Sequence, residues 1–151
     1  MKPIRIAYFT HDSVSEGVGA SQVLGLCKQL TSLGHRVSLY SFEKFPPDPK
    51  TIKDVTEQDI DWHWFPFSSK PFPTLQRILQ LFRVRGNFDL IHARSDLPAL
   101  AAVLRRQEPV LWDIRSLWAE QRRILLCICC DASSQGALLH TRPLRRQYAL
   151  S

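Results

Sequence analysis

The chain has 151 residues, of which 44% are hydrophobic and 23% are charged, and these values fit one globular domain with a core of its own. A two-domain enzyme does not fit this length. The net charge is +6, but residues 121–151 carry +4 of it, so residues 1–120 are nearly balanced and lack the dense basic stripe that binds DNA or RNA. We therefore expect no nucleic-acid partner.

The features that report on location favour the cytoplasm. The apolar stretch at residues 1–10 is too short for a signal peptide, and no run of about 18 apolar residues predicts a spanning helix. Cys127, Cys129 and Cys130 are crowded rather than spaced as a disulfide framework, which fits a reducing compartment. Peripheral contact with the inner face of the membrane stays compatible with these features.

The cysteine cluster does not predict a metal site. The spacing of Cys127, Cys129, Cys130 and His140 matches no established zinc pattern, and adjacent thiolates are hard to direct at one tetrahedral ion. We expect neither a metal ion nor another cofactor.

The first elements in chain order predict a βαβ unit. Residues 4–9 are short, apolar and β-prone, as a strand buried on both faces should be. A polar loop follows, and apolar residues then recur at helical spacing, at Ala20, Val23, Leu24, Cys27, Leu30 and Leu33. Gly34 stands where a helix C-terminal cap belongs, and residues 36–40 read as the second strand.

The remaining elements continue the alternation. After a Pro-rich connector, residues 60–65 predict a third strand, and Leu75, Ile78, Leu79 and Phe82 predict an amphipathic helix that ends at Gly86. Further elements are predicted in the order strand, helix, strand at residues 88–92, 97–104 and 109–114. Five strands alternating with helices predict a single α/β domain, a Rossmann-like, doubly wound parallel sheet that binds ligands at the carboxyl ends of its strands.

The loop between the first strand and the first helix is a candidate binding segment. Its residues Gly17, Val18 and Gly19 precede a helix, where backbone N–H groups and the helix dipole favour an anion. Two glycines do not make the three-glycine dinucleotide fingerprint, and an ordinary tight turn explains them equally well.

Polar residues also follow two later strands. The fourth strand would deliver His92 and Arg94 to the ligand-binding edge of the sheet, and the fifth would deliver Asp113 and Arg115, followed by Glu120. A histidine satisfied by the backbone, a solvated arginine and a structural Asp–Arg ion pair are the alternatives. All these segments would converge on one crevice if the sheet is wound as predicted.

The composition changes near residue 122. Residues 122–151 contain no Lys, Glu or Trp, but they hold the cysteine cluster and arginine pairs. We therefore divide the chain into a Rossmann-like domain at residues 1–121 and an atypical tail at residues 122–151. A frameshift or truncation, a disordered tail and an authentic short helix at residues 122–129 are the alternatives for this segment.

Five segments, taken in order, resemble the N-terminal domain of GT-B-type glycosyltransferases, especially the large retaining family 4. The resemblance covers about residues 1–121 and rests on Lys2-Pro3-Ile4-Arg5-Ile6-Ala7-Tyr8, Gly17-Val18-Gly19, Leu30-Thr31-Ser32-Leu33-Gly34-His35-Arg36-Val37, Phe88-Asp89-Leu90-Ile91-His92-Ala93 and Pro109-Val110-Leu111-Trp112-Asp113-Ile114-Arg115. Each motif is loose, but their order, with the expected elements between them, makes the resemblance specific.

The resemblance implies transfer of a sugar from a nucleotide-sugar donor to a glycan or lipid acceptor, with retention, in a cleft between two Rossmann-like domains. The Gly17–Gly19 loop would approach the donor phosphates or the acceptor, and Asp113 and Arg115 would lie near the transferred sugar. A donor-binding domain would need roughly 150 to 200 further residues, so we expect this chain to be inactive unless a separate domain supplies that half. The alternative is a flavodoxin-like module that binds a small molecule or phosphate without catalysis.

Overall fold

The computed structural model describes residues 2–67 and 72–114. These residues form an α/β domain with five strands, β1 (Arg5–Thr10), β2 (Arg36–Glu43), β3 (Ile60–Pro66), β4 (Leu90–Arg94) and β5 (Val110–Asp113). The helices are α1 (Gly17–Gly19), α2 (Gly25–Ser32), α3 (Pro49–Thr56), α4 (Pro73–Phe82) and α5 (Asp96–Arg105), and a π-helical turn at Ala20–Leu24 joins α1 to α2.

The sheet is parallel throughout, with the strand order β3-β2-β1-β4-β5. From β1 the chain winds outward through β2 to β3, then crosses back to β4 and continues to β5. This double winding confirms the predicted Rossmann-like fold and leaves a topological switch point between β1 and β4.

The first βαβ unit follows the predicted pattern closely. Val23 and Cys27 are fully buried, and the glycine cap is confirmed by the φ of +86° at Gly34, a left-handed conformation that glycine adopts without strain. The sequence wrongly places Leu33 on the apolar face of this helix: Leu33 is the C-cap of α2 and is 68% exposed.

Helix α3 was not predicted, because prolines dominate the connector before it. Pro49 occupies the first turn of α3, where a residue without an N–H costs nothing because that N–H has no partner within the helix. Val55 anchors the helix to the core with a side chain that is 1% exposed.

Helix α4 is confirmed, but it ends at Phe82 rather than at Gly86, and most of its apolar residues do not face the core. Its deeply buried residue is Leu81, at 1% exposure, whereas Leu75, Leu79 and Phe82 are 54%, 40% and 44% exposed. Ile78 packs against the core from the same side as Leu81. An amphipathic pattern predicts that its apolar residues are buried, but most of the apolar residues that predicted α4 are exposed.

Two apolar clusters fill the two sides of the sheet. One unites Phe9, Phe42 and Ile91 with residues of α4 and α5, and the other unites Tyr8 and Leu39 with residues of the π-helical turn, α2 and α3. Strands β1 and β2 therefore contribute alternate side chains to opposite cores, as a doubly wound sheet requires.

In residues 2–67 and 72–114, no helix is long and apolar enough to cross a membrane. The predicted tail at residues 122–151, with Cys127, Cys129, Cys130 and His140, lies outside the described residues, as do Arg115 and Glu120.

Candidate functional site

The candidate site lies at the carboxyl edge of the sheet, at the switch point between β1 and β4. His11, Asp12 and Ser13 directly follow β1, and Arg94 is the last residue of β4. The chain leaves these two strands toward opposite faces of the sheet, so a crevice opens between the connections.

A cavity of about 480 Å³ occupies this crevice. Six of its eight lining residues have polar or charged side chains, namely His11, Asp12, Ser13, Glu16, Lys44 and Arg94, and Gly19 and Phe67 complete the wall. The cavity wall contains the last residue of β4 and residues that follow β1, β2 and β3.

Arg94 is the most buried cation of the site. Its side chain is 6% exposed, its Nε lies 3.1 Å from Oδ2 of Asp12, and its Nη2 donates to Oε1 of Gln22 at 2.8 Å. Nη1 of Arg94 has no hydrogen-bond partner within residues 2–67 and 72–114. The contacts to Asp12 and Gln22 fix the orientation of the Arg94 guanidinium, including that of its remaining N–H donors.

Glu43, the last residue of β2, holds the loop that follows β1. The side chain is 1% exposed, and its carboxylate accepts hydrogen bonds from the Ser13 hydroxyl at 2.5 Å and the Val14 N–H at 2.8 Å. The Ser41 hydroxyl donates at 2.7 Å and the Ser15 N–H at 3.3 Å. Burial alone would raise the pKa of Glu43, but these hydrogen bonds to the carboxylate outweigh it and lower the pKa below its ordinary value.

Gly19 lets two backbone segments meet at the cavity wall. A Cβ at Gly19 would lie 2.1 Å from the carbonyl oxygen of Ser13, a distance that no side chain tolerates. Gly17 has a φ of +71°, which also favours glycine. The Gly17–Gly19 segment therefore combines a left-handed turn with a close approach.

Ser95 links the two strand ends by a second contact. Its hydroxyl lies 2.7 Å from Nδ1 of His11, and its N–H donates to the carbonyl oxygen of Asp113 at 3.0 Å. The backbone of Ser95 adopts φ 71° and ψ −178°, a region occupied almost only by glycine. The strain lies at the turn from β4 into α5, directly beside the cavity.

The predicted site residues separate into two sets. Gly19 and Arg94 line the cavity, and the parallel register places Asp113 opposite Arg94 on the neighbouring strand. His92 lies two residues before the end of β4 with its ring centroid 4.6 Å from that of Tyr8, and it is not among the lining residues of the cavity.

The other predicted residues are placed less fully. Gly17 and Val18 form α1 beside the cavity. Arg115 and Glu120 lie outside the described residues, so their predicted convergence with Asp113 stays a prediction.

Sequence reasoning missed six side chains of the cavity wall, Glu16 among them, and the carboxylate behind them. The other five wall residues are His11, Asp12, Ser13, Lys44 and Phe67, and the carboxylate is that of Glu43. The signal was present, because each residue ends a strand or closely follows one, the position that pointed to Arg94. Applying that rule to β1, β2 and β3 would have found them.

Comparison with known proteins agrees with this architecture. The family model for Glycosyltransferase Family 4 matches residues 19–146, and no curated protein matches the chain. The matched region contains four of the five strands and extends past residue 114. With a parallel sheet of the expected order and a family match over most of its length, the chain belongs to Glycosyltransferase Family 4.

Proposed function

We propose that this domain is the acceptor-side half of a retaining glycosyltransferase that transfers a sugar from a nucleotide-sugar donor to a glycan or lipid acceptor in the cytoplasm. The observation that carries the proposal is a cavity with charged side chains in its wall, at the β1–β4 switch point of a chain that belongs to Glycosyltransferase Family 4. A volume of about 480 Å³ lies within the range of small-molecule sites.

The cavity wall suits a hydroxylated ligand. A sugar hydroxyl both donates and accepts hydrogen bonds, and the wall offers both partners: carboxylates at Asp12 and Glu16, and cationic donors at Lys44 and Arg94. Phe67 adds an apolar surface for the C–H face of a sugar ring. Lys44 and Arg94 would equally suit a phosphate on the acceptor or the donor.

During transfer, the bond between the anomeric carbon and the donor phosphate oxygen breaks, and a bond from that carbon to an acceptor oxygen forms as the acceptor proton leaves. The family resemblance assigns the neighbourhood of the transferred sugar to Asp113 and Arg115, and the positions of His92 and Glu120 at or after strand ends predict substrate contacts for them. The register of Asp113 supports the assignment for this residue, since it places Asp113 opposite Arg94, which lines the cavity.

The proposed reaction needs a second, donor-binding domain, on this or another polypeptide. Transfer requires the donor to be held in line with the acceptor, and closing two domains around a cleft provides that alignment. We therefore expect the 151-residue polypeptide to transfer no sugar by itself.

The test is a transfer assay with radiolabelled nucleotide sugars and panels of glycan and lipid acceptors. The 151-residue chain is assayed alone and with a separately expressed donor-binding domain of the family, and Arg94→Ala and Asp113→Ala are compared with Lys53→Ala on the exposed surface of α3. Transfer that appears only with the second domain, and that falls in the first two variants but not the third, supports the proposal. Turnover by the chain alone that is lost in Asp113→Ala contradicts the need for a second domain.

A further inference from the structure

The edge of the sheet carries a row of side chains that leads to the cavity of the candidate site. β3 is the edge strand of the five-stranded sheet in the described part of the chain, and the Phe67 N–H continues its ladder by donating to the Glu43 carbonyl oxygen at 2.8 Å. Alternate residues of a strand share one face. Four residues therefore form a row on the face toward α4, which we call the β3 row: Asp61, His63, Phe65 and Phe67.

Contacts with β2, α4 and the core hold the rings of the β3 row in place. The His63 ring stacks on that of Tyr40, with 4.8 Å between the centroids and 14° between the planes. Phe65 packs against the core, and the Arg77 guanidinium lies 3.8 Å from the ring centroid of Phe67. Because these rings are ordered in the free domain, a ligand that packs on them pays little entropy to arrange them.

The β3 row is covered on one side and open on the other. The side chains of Asp61 and His63 are 64% and 47% exposed, and Phe67 is 39% exposed. A second cavity, of about 490 Å³, opens beside the middle of the row, and its wall includes His63, Phe65 and Arg85. A ligand in solution can therefore reach the row along its length.

The side chains of the β3 row suit a chain of linked sugars. Aromatic rings offer a surface to the C–H face of a sugar ring, and the carboxylate of Asp61, 2.9 Å from Nε2 of His63, accepts hydrogen bonds from hydroxyls. Charges of both signs border the row, at Asp61 and Arg85, which favours a neutral hydroxylated ligand over an anion. At the rise of a β-strand, the row spans roughly 20 Å, more than one sugar ring covers.

We propose that the β3 row binds an oligosaccharide and directs its terminal sugar into the cavity of the candidate site. Phe67 belongs both to the row and to the wall of that cavity, so the two binding surfaces are continuous. The inference rests on the proposed function and narrows the acceptor to a glycan of several sugars. The row binds and positions this acceptor, and it takes no part in bond making.

The inference is tested by probing an array of linear glucose, galactose, mannose and N-acetylglucosamine oligosaccharides, from monosaccharides to hexasaccharides, with the labelled 151-residue chain. We expect one series in which binding strengthens with the length of the glycan. In that series, NMR titration should give a Kd for the hexasaccharide about tenfold below that for the monosaccharide, because the longer glycan contacts the whole row. Absence of length-dependent binding in every series overturns the inference.

Two variants of the β3 row test which side chains make the contact. His63→Ala removes an exposed ring and should raise the Kd for the hexasaccharide about fivefold. Asp61→Asn keeps the shape but loses the charged acceptor, and it should raise the Kd about threefold. Asp54→Asn on the exposed surface of α3 is the matched control and should leave the Kd unchanged. Thermal melting establishes that each variant is folded, and a Kd unchanged in both row variants overturns the inference.

Failure of this inference can be distinguished from failure of the proposed function, because glycan binding is measured without a donor or a second domain. Transfer to a lipid acceptor by a chain that binds no oligosaccharide overturns the inference and leaves the proposed transfer standing. Oligosaccharide binding that His63→Ala and Asp61→Asn weaken supports the inference even where no transfer is detected.

Discussion

Nε of Arg94 and Oδ2 of Asp12 lie 3.1 Å apart and join the carboxyl ends of β4 and β1 across the switch point of the sheet. The two residues are 82 positions apart in the chain. The Arg94 side chain is 6% exposed and that of Asp12 is 37% exposed, so the pair spans the boundary between the core and the cavity. A single ion pair thus supports both the packing of the domain and the shape of the candidate site.

Replacing Arg94 should destabilise the domain although Asp12 can be rehydrated. Arg94→Met removes the contacts to Asp12 and Gln22, and we expect the free energy of unfolding to fall by about 1–3 kcal/mol. Urea denaturation monitored by circular dichroism measures the change. Lys53→Met, which breaks an exposed pair with Glu57 on α3, should cost less than about 0.5 kcal/mol. Equal losses in the two variants would show that the Arg94 contacts contribute no more than a surface pair.

Two glycines of the same helical stretch should respond oppositely to alanine. In Gly19→Ala the new Cβ meets the Ser13 carbonyl oxygen at 2.1 Å, so the loop or the helix must shift and we expect a loss of about 2 kcal/mol or more. Gly25→Ala meets nothing within 4 Å and has helical dihedral angles, so it should be neutral or stabilise by about 0.5–1 kcal/mol. Thermal melting of both variants suffices, and a stable Gly19→Ala protein would contradict the close approach.

Glu43 should make stability depend on pH in the acid range. Its pKa is lower in the folded protein than its ordinary value of 4.5, so the folded state binds fewer protons than the unfolded state as pH falls through this interval. The stabilisation is complete above the ordinary pKa and is lost as pH falls through the lowered folded pKa. Urea denaturation at a series of pH values should show a shallower dependence in Glu43→Gln than in the wild type.

The same variant should also lose stability at neutral pH. An amide cannot accept all four hydrogen bonds that the Glu43 carboxylate receives from Ser13, Val14, Ser15 and Ser41. We expect a cost of about 1–3 kcal/mol. Glu57→Gln on the exposed surface of α3 provides the comparison and should change stability by less than about 0.5 kcal/mol. A Glu43→Gln protein with unchanged stability and pH dependence would refute the role of this carboxylate.

Two leucines of α4 should separate the buried side of the helix from the exposed one. Leu81→Ala removes a side chain that is 1% exposed and should cost about 2–5 kcal/mol. Leu79→Ala removes one that is 40% exposed and should cost less than about 1 kcal/mol. Chemical denaturation compares them directly. The reverse order would mean that α4 packs by the side that carries Leu79.

The order and type of most elements could be predicted from the sequence, because they depend on local patterns. Buried parallel strands appear in a sequence as short apolar runs. Gly34 ends its helix in a left-handed conformation that glycine adopts without strain, so the residue type alone predicts the helix end. Arg94 was predicted as a site residue because the end of a strand can be recognised from the neighbouring residues alone. Helix α3 was not predicted because the proline in its first turn is also typical of a loop.

Only the tertiary structure decided which strand ends meet and which face of α4 is buried. The spacing of apolar residues shows which of them share one face of a helix. It does not show how much of that face the rest of the chain covers, so it could not predict that Leu75 and Leu79 are exposed. The same holds for Glu43, whose burial depends on hydrogen bonds from a loop about 30 residues earlier in the chain. A charged residue in a sequence reads as a surface residue, and only partners brought together by long-range packing stabilise its charge inside the protein.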